Sequence, residues 1–319
     1  MLHKLDLKDK KILFELDKNA RISYAQIGKK IGLSTELVHY RVKRLEKTKI
    51  LTKYQTAVNY SKLGLIHFKI CLKYSGISLK IEEELYFRLK NIPQIVWIAK
   101  CQGEWDCILS CTANNLIELD LIKDKIITLA NNYISQKSIS ISSKIWSFPR
   151  NYLINKNKET IFKMSGEQPK LDEIDLKLLK ILSENSRKPV IKIVKEMNST
   201  VKIITTRIKK LLKTGVINNF RLVIDYDKLG INFYKTFFYL KNPDEKKVQQ
   251  LLRKLNIHPN VIHNLKVIGD WDLEPEFEFE NKEEFQKTIQ ELMNEFSDTI
   301  QRISVINILK EYKYTFFHK

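Results

Sequence analysis

Two stretches of the chain set its fold: LDLKDKKILFELDKNARIS at residues 5–23 and LDEIDLKLLKILSENSRKP at residues 171–189. Each has an aspartate suited to cap a helix, apolar residues at helical spacing, and an Asn-x-Arg near its end. The second stretch repeats the first at an offset of 166 residues, from 5 to 171. The same offset holds for these pairs: Asn19 and Asn185, Arg41 and Arg207, Gly64 and Gly230, Trp105 and Trp271, Lys144 and Lys310. A register held over that length indicates one ancestral unit used twice.

The first part of each copy has the pattern of a helix-turn-helix. In copy one, apolar spacing predicts three short helices at 6–17, 24–31 and 35–47, with Ser23 and Ser34 as N-caps. Gly32 provides the tight turn before the third helix, and Asn198 replaces it in copy two, where asparagine tolerates left-handed backbone. Three helices with a three-residue turn between the last two are typical of a helix-turn-helix.

The remainder of each copy predicts the order β-α-β-β-α-β. Copy one has expected strands at 67–74, 95–102, 105–112 and 137–146, with helices at 78–91 and 115–130. Copy two has expected strands at 233–240, 261–268, 271–279 and 301–314, with helices at 244–256 and 282–296. Helices on one face of such a sheet leave the other face apolar, so that face needs a partner sheet.

Positive charge is concentrated in the two helix-turn-helix segments. The chain has 56 Lys+Arg against 37 Asp+Glu, a formal net charge of +19. Residues 1–53 hold 14 basic against 6 acidic residues, and residues 171–220 hold 11 against 5, so together they carry +14. Such a surplus indicates a polyanionic partner, and its position favours double-stranded DNA over a merely lysine-rich composition. No membrane partner is expected, since no basic amphipathic helix carries exposed aromatic residues.

The four cysteines, Cys71, Cys101, Cys107 and Cys111, form no C-x-x-C pair and have no cluster of histidines near them. We interpret them as small buried residues in a reducing compartment, with neither a disulfide nor a metal site. No apolar run approaches the ~20 residues that span a bilayer, and the N-terminus has no signal core. A cytoplasmic location is therefore expected.

At this point the motifs resemble the Lrp/AsnC (feast/famine) regulators. The resemblance lies in the L-D-x-x-D-x-x-I/L-L opening, the N-A/S-R after the first helix, and the R-V/I-K-R/K-L of the third helix. It continues in Y-x-K-L-G at 60–64 and 226–230, and in G-x-W-D at 103–106 and 269–272. The resemblance implies an α+β chain with two tandem copies of a winged helix-turn-helix domain followed by a ferredoxin-like βαββαβ domain.

The domain organisation then follows. Residues 1–53 and 171–219 are expected to be DNA-binding domains, 54–146 and 220–319 ligand-sensing domains, and 147–170 a linker with a short helix near 158–164. The family's sheets pair into dimers, and here two units are fused. The hypothesis is that one chain supplies a whole pseudo-dimer, with pairing between chains in a homo-oligomer as the alternative.

The predicted DNA contacts lie on or beside the third helix of each copy, where a recognition helix enters the major groove. In copy one they are Ser34, Thr35, His39, Tyr40, Arg41, Lys43 and Arg44. In copy two they are Thr200, Lys202, Thr205, Thr206, Arg207, Lys209 and Lys210. Arg41 and Arg207 are equally suited to bind phosphate or to form an internal salt bridge. Because the two outward faces differ in sequence, we expect an asymmetric operator.

The resemblance implies a small effector, usually an amino acid, near the hairpin turn of each sensing domain. The candidate effector residues are Gly103, Glu104, Trp105, Asp106, Gly269, Asp270, Trp271 and Asp272. A turn glycine allows close backbone approach, and amides or a carboxylate can hold the charged ends of an amino acid. The alternative is that glycine and aspartate only make the turn while the tryptophans are core residues.

Two features depart from the family pattern. The glycine before the wing is kept as Gly215 but is Lys49 in copy one, which weakens the prediction of a turn there. In copy two, Glu274, Glu276 and Glu278 share one face of the predicted strand, and Pro275 donates no ladder hydrogen bond. This strand is therefore either edge-like, or the pocket of copy two has diverged.

Two other functions remain as alternatives. A siroheme decarboxylase of the same architecture requires histidines and arginines in a sheet pocket, and the sensing halves have only His67, His258 and His263 besides the terminal His318, none repeated between copies. An architectural DNA-binding protein without effector, or a protein-binding module, is the second alternative. No catalytic constellation and no cofactor motif is evident, so no enzyme activity and no cofactor are expected.

Overall fold

The computed structural model describes residues 4–154, 167–241, 244–315 and 317. Copy one contains α1 (Leu7–Lys18), α2 (Tyr24–Ile31), α3 (Thr35–Lys47), β1 (Leu51–Val58), β2 (Ile66–Tyr74), α4 (Leu79–Lys90), β3 (Ile95–Gln102), β4 (Cys107–Ala113), α5 (Leu116–Ala130) and β5 (Ile134–Ser147). Copy two contains α6 (Glu173–Glu184), α7 (Val190–Met197), α8 (Val201–Lys213), β6 (Ile217–Ile224), α9 (Tyr226–Leu229), β7 (Asn232–Leu240), α10 (Glu245–Ile257), β8 (Val261–Ile268), β9 (Glu276–Phe279), α11 (Lys282–Glu295) and β10 (Ile300–Tyr314).

Local signals in the sequence place the helix ends. The side chains of Ser23 and Ser34 accept hydrogen bonds from the backbone N–H groups of the helices they precede, as predicted. Asn198 is left-handed with φ 47°, matching Gly32 at φ 69°. Lys49 is also left-handed, with φ 55°, so the turn before the wing is kept where glycine is lost.

The wing strands β1 and β6 were not predicted as strands, and they join the two copies. They pair antiparallel with each other in a two-stranded ribbon, Tyr54 opposite Leu222. The predicted domain boundaries at 53/54 and 219/220 fall inside these strands, so the ribbon belongs to both the helix-turn-helix and the sensing halves.

Reciprocal contacts show a pseudo-two-fold axis through the ribbon. The Arg21 guanidinium donates to the carbonyl oxygens of Ser186 and Lys188, at 2.6 and 3.0 Å. The matched Arg187 donates to the carbonyl oxygens of Ala20 and Ile22, the same positions in the other copy. The first α-helix of each copy packs on the wing strand of the other copy, α1 on β6 and α6 on β1. The intrachain pseudo-dimer expected from the fusion is therefore present.

The eight sensing strands form one closed barrel in the order β10-β3-β4-β2-β5-β8-β9-β7. Each copy contributes a four-stranded sheet with βαββαβ order, and the sheets join edge to edge through the β5–β8 and β10–β3 pairs. Closure leaves none of these eight strands at a free sheet edge. The inward faces of both copies share one core that includes Trp97, Phe237 and Trp271. The partner sheet that the apolar face requires is thus the other copy.

Copy two differs from the prediction in one strand. The expected strand at 271–279 is ordered as β9 only over Glu276–Phe279, because Leu273 makes isolated bridges to Phe238 and Lys266 and Pro275 has no amide hydrogen to donate. The strand lies between β7 and β8, so it is not an edge. Of the two explanations for the three glutamates, divergence of the pocket is the one that applies.

The start of the expected linker is part of the folded core. Phe148, Arg150, Asn151 and Leu153 are all buried. The helix predicted near 158–164 lies outside the described residues. All four cysteines are buried and free, as expected. Within the described ranges, no helix combines the length and the hydropathy needed to cross a membrane.

Candidate functional site

The helices α3 and α8 present the predicted DNA-contact residues on either side of the pseudo-two-fold axis. The exposed side chains among them are Ser34, Thr35, His39, Tyr40, Lys43, Thr200, Lys202, Thr206 and Lys209. Ser34 and Thr200 are the N-caps of the two helices, so their hydroxyl oxygens already accept backbone N–H groups. The Thr205 hydroxyl donates to the carbonyl oxygens of Val201 and Lys202 within its own helix.

The half-buried cations of these helices form internal salt bridges. Arg41 donates to Asp6 and Asp9, and Arg207 forms the same pair of contacts with Asp172 and Asp175. Of the two predicted roles for these arginines, the internal salt bridge is therefore present.

The next basic residue along each helix has a similar partner. Arg44 contacts Asp9 at 2.6 Å, and Lys210 contacts Asp175 at 2.6 Å. These four cations fix the third helix of each copy against the first. Among the predicted contacts, the exposed cations are Lys43, Lys202 and Lys209.

The hairpin residues predicted to hold an effector lie against the other copy. A Cβ on Gly103 would come within 2.7 Å of the Val305 carbonyl oxygen, and one on Gly269 within 2.9 Å of the Ile139 carbonyl oxygen. Thus each glycine allows close approach to the last strand of the partner copy.

The other hairpin side chains also have intrachain contacts. Asp106 accepts from the Tyr74 amide and Asp272 from the Leu240 amide, while the Asp270 carboxylate accepts from the Ser138 hydroxyl. Glu104 lies 3.5 Å from Arg302. Trp105 and Trp271 are buried in the barrel.

A cavity lies between the β1–β6 ribbon and the adjoining end of the barrel, and we call it the axial cavity. Its volume is about 100 Å³. Its lining contains matched positions of both copies: Gln55 and Arg221, Tyr60 and Tyr226, His67 and Phe233, Trp97 and His263, Ile145 and Glu311. Because both members of each pair line it, the cavity lies on the pseudo-two-fold axis. At four of the five pairs the two side chains differ in chemistry.

Buried charged side chains of the barrel reach the wall of this cavity, which Lys69 and Glu276 line. Lys69 Nζ lies 2.5 Å from a carboxylate oxygen of Glu274, and Lys235 Nζ lies 2.9 Å from the same carboxylate and 2.6 Å from Glu276. Burial alone would raise the pKa of Glu276, but the charges of Lys235 and Lys69 outweigh it and lower that pKa to about 2. Lys235 and Lys69 lower the pKa of the buried Glu274 in the same way, and the two glutamates raise the pKa of Lys235 despite its burial. Burial lowers the pKa of Lys69.

A second buried network connects the linker, the first helix and the barrel. Arg150 contacts Asp17 of α1 at 2.9 Å and both oxygens of Glu278 at 2.9 and 3.0 Å. Arg221 of the ribbon contacts the same Asp17 more loosely, at 3.2 and 3.4 Å. Burial opposes ionisation of Asp17, yet Arg221 and Arg150 hold the pKa of that carboxyl below its ordinary value.

The ionisable groups at the cavity wall differ in how fully they are bonded. His67 is hydrogen-bonded at both ring nitrogens, to Ser142 at 2.8 Å and Ser110 at 3.0 Å, and burial lowers its pKa to about 3. Burial also lowers the pKa of His263 to about 3, so both rings are neutral at pH 7. Glu311 accepts from Trp97 Nε1, and burial raises the pKa of its carboxyl to about 7.

With the geometry described, comparison with known proteins identifies the family. The description "winged helix-turn-helix DNA-binding" matches residues 5–52 and 171–218. An uncharacterized HTH-type transcriptional regulator of Pyrococcus furiosus is 36% identical over 123 residues, 38% of this chain and 82% of that protein. An HTH-type transcriptional regulator of Methanocaldococcus jannaschii is 35% identical over 132 residues, 41% of this chain and 86% of that protein. The chain belongs to the Lrp/AsnC family of HTH-type transcriptional regulators.

Fold similarity to a solved structure extends over nearly the whole chain. The siroheme decarboxylase NirDL covers 98% of this chain with 94% of its own, at a TM-score of 0.62 and 12% identity. At that identity the match establishes a shared fold only. It also shows that the fused arrangement of this Lrp/AsnC chain occurs elsewhere.

The axial cavity was not predicted from the sequence. Its charged and histidine side chains come from a wing strand, the linker and both sheets, and most have no like residue in the other copy, so the repeat gave no signal for them. Arg221 corresponds to Gln55 and Glu311 to Ile145, mismatches between the copies of the same kind as the three glutamates of β9 and its approach.

Proposed function

We propose that this Lrp/AsnC-type regulator binds double-stranded DNA as a single-chain pseudo-dimer in the cytoplasm, with α3 and α8 on the two halves of an asymmetric operator. A small effector such as an amino acid modulates that binding. The proposal depends chiefly on the matched hydrogen bonds by which Arg21 and Arg187 each contact the other copy. These bonds show that a pseudo-two-fold axis relates the two recognition helices, as it relates the helices of a dimer.

The chemistry of the two helices supports an asymmetric operator. Position by position, Tyr40 of α3 corresponds to Thr206 of α8, and His39 corresponds to Thr205. The rings of Tyr40 and His39 can make contacts with base edges that differ from those of the two threonine hydroxyls. The two half-sites are therefore expected to differ in sequence.

The test is DNA affinity as a function of salt, with a site selected from random DNA and with bulk DNA as competitor. Regulator binding gives log K falling with log[salt] at a slope of about −0.9 per neutralised phosphate, and a selected site that outcompetes bulk DNA. No binding at low salt contradicts the proposal. Steep salt dependence without site preference supports the architectural alternative instead.

A pair of matched variants tests the role of the recognition helix. Tyr40→Ala is expected to weaken binding to the selected site by about 1–3 kcal/mol while leaving bulk binding unchanged. The control is Phe87→Ala on α4, a ring exposed to 70% against 63% for Tyr40, which lies outside the helix-turn-helix. Equal losses in the two variants would show that Tyr40 has no specific contact. A symmetric palindrome from the selection would contradict the asymmetric operator.

A second candidate function is a siroheme-decarboxylase-like activity, favoured by the histidine-bearing axial cavity in a chain whose whole length shares the NirDL fold. NirDL has also been solved with an iron-uroporphyrin III analogue. In this chain both ring nitrogens of His67 and of His263 contact protein groups, so neither ring can reach a ligand without losing a hydrogen bond. Mixing the chain with iron-uroporphyrin III and recording its absorption spectrum tests this. A shifted band that vanishes in His263→Trp supports the enzyme, and an unchanged spectrum rejects it.

A further inference from the structure

The axial cavity has the position that an effector site needs. One wall is the β1–β6 ribbon, whose strands directly follow α3 and α8, and the other wall is the end of the barrel. A molecule bound there contacts both the DNA-binding half and the sensing half. The hairpins at 103–106 and 269–272 instead lie against β10 and β5 of the other copy, and their residues are not part of the cavity lining.

The ribbon wall contains an arginine, Arg221, whose hydrogen bonds to protein side chains are long. Arg221 Nη1 meets His263 Nε2 at 3.4 Å, and its contacts with Asp17 are 3.2 and 3.4 Å, so its shortest hydrogen bond is the 2.8 Å contact with the Phe148 carbonyl oxygen. A charge-assisted hydrogen bond normally measures 2.7–2.9 Å. Arg150 next to it is fully engaged by two carboxylates. Arg221 is therefore the cation with capacity for a ligand carboxylate.

The barrel wall contains a glutamate, Glu311, whose carboxylate accepts few hydrogen bonds from the described part of the chain. Glu311 of β10 accepts one hydrogen bond within the described part of the chain, from Trp97 Nε1. A carboxylate has capacity for about four. Burial, together with the nearby charges of Glu276 and Glu278, makes its ionisation unfavourable, and the cationic group of a ligand would offset that cost. Glu311 corresponds to Ile145 in copy one, so the acid occurs on one side of the axis only.

We propose that the axial cavity is the effector site and that it binds a small zwitterion in a single orientation, with its carboxylate on Arg221 and its ammonium group on Glu311. Bridged in this way, the ligand ties the ribbon to the barrel and so restricts the positions of α3 and α8. The apolar and aromatic lining from Trp97, Phe233 and Ile262 holds the remainder of the ligand. This inference rests on the proposed regulator function.

The experiment is calorimetric titration of the full chain with the protein amino acids, one at a time, followed by analogues of each amino acid that binds. The deaminated acid and the decarboxylated amine of that ligand are expected to bind at least about tenfold more weakly, because each loses one of the two charged contacts. An amino acid whose acid analogue binds equally well contradicts the contact with Glu311.

Two sets of variants locate the site. Glu311→Gln keeps the shape of the side chain and is expected to weaken zwitterion binding about tenfold while leaving the deaminated acid unaffected. The matched control is Glu104→Gln with Asp270→Asn, which alters both hairpins and is expected to leave affinity within about twofold. Arg221→Met serves as a third variant, with a thermal melt to verify folding, since it also leaves Asp17 with one partner fewer.

The outcomes separate this inference from the proposed function. Loss of binding in the hairpin variants with retention in Glu311→Gln places the effector at the hairpins and overturns the axial site. Absence of binding by any amino acid at millimolar concentration overturns it too, while salt-dependent, site-specific DNA binding would still stand. A ligand that shifts DNA affinity in the wild-type chain but not in Glu311→Gln supports both.

Discussion

Strands β4 and β9 occupy equivalent places in the two copies and differ in what they bury. β4 carries Ile108, Ser110 and Thr112, where β9 and the residues before it carry Glu274, Glu276 and Glu278. The facing lysines, Lys69 and Lys235, are matched between copies and both are buried. Two symmetric cations are thus neutralised by acids from one copy only.

The comparison shows how a fused pair diverges. In a homodimer each sheet must carry the same residues, so an acid introduced on one strand appears twice across the axis. Fusion removes that constraint. Here the acids of copy two form ion pairs with the lysines of both copies, whereas in copy one Ser110 is hydrogen-bonded to His67. The barrel interior is one asymmetric site built from two unequal halves.

The largest expected effect comes from giving copy two the residue of copy one. Glu274→Ile removes the carboxylate that lies 2.5 Å from Lys69 and 2.9 Å from Lys235. Breaking a buried ion pair by removing one partner costs about 3–5 kcal/mol, because a charge is left uncompensated. Urea unfolding measures the loss. As controls, Ile108→Val should cost only about 0.5–1.5 kcal/mol, and adding Lys69→Met to Glu274→Ile should restore part of the stability. A Glu274→Ile chain as stable as wild type would mean that the lysines are neutral.

The next largest effect is on the pH dependence of the free energy of unfolding in His67→Phe. This substitution gives copy one the residue that copy two has at the equivalent position, Phe233. The pKa of His67 is lowered from 6.5 to about 3. Below about pH 6.5 the unfolded chain therefore binds a proton that the folded chain does not, so this histidine's contribution to stability is present above pH 6.5 and is lost as pH falls towards 3. Each such proton contributes about 1.4 kcal/mol per pH unit in that window.

The stability of His67→Phe should accordingly fall less steeply than that of wild type between pH 6 and pH 4, in unfolding curves at several pH values. His39→Phe, at an exposed histidine of α3, is the control. Parallel pH profiles for wild type and His67→Phe would contradict the buried neutral ring.

A smaller effect separates the two buried tryptophans. Trp271 Nε1 donates to Glu274 at 2.8 Å, whereas Trp105 Nε1 is buried without a hydrogen-bond partner among the described residues. Trp271→Phe should therefore destabilise the fold by about 1–2 kcal/mol more than Trp105→Phe, since only the former breaks a bond to a charged group. Equal losses, measured side by side in urea, would mean that Trp105 has an equivalent acceptor in solution.

The smallest effect distinguishes the recognition helices. Lys43 pairs with Glu46 at 2.7 Å, whereas its equivalent, Lys209, forms no ion pair with the described residues. Lys209→Ala should lower the magnitude of the salt slope of DNA binding by about 0.9, the value for one phosphate. Lys43→Ala should lower it less, because Glu46 competes with phosphate for that lysine. A larger change for Lys43 would reverse this order.

The expectations that held were those with local causes. Helix bounds followed from the caps at Ser23 and Ser34, and most strands were placed within a few residues by alternation. The wing strands were missed because β1 and β6 gain their stability from each other, and their paired residues lie 159 to 173 positions apart in the sequence. Arg150 lies in the predicted linker, and its buried role was not predicted because its partners Asp17 and Glu278 lie 133 and 128 residues away.

The sequence by itself determined the duplication, the element order, the positive charge of the two helix-turn-helix segments and the family. These features depend on composition, on the period of apolar residues and on the repeat register, all of which can be read from the order of residues along the chain. Only the tertiary structure decided that the sheets close edge to edge into a barrel, that Arg41 and Arg207 form internal salt bridges, and that Arg221 and Glu311 line one cavity. Those outcomes depend on which distant side chains are brought within hydrogen-bond distance, and on the desolvation that makes each such pairing necessary.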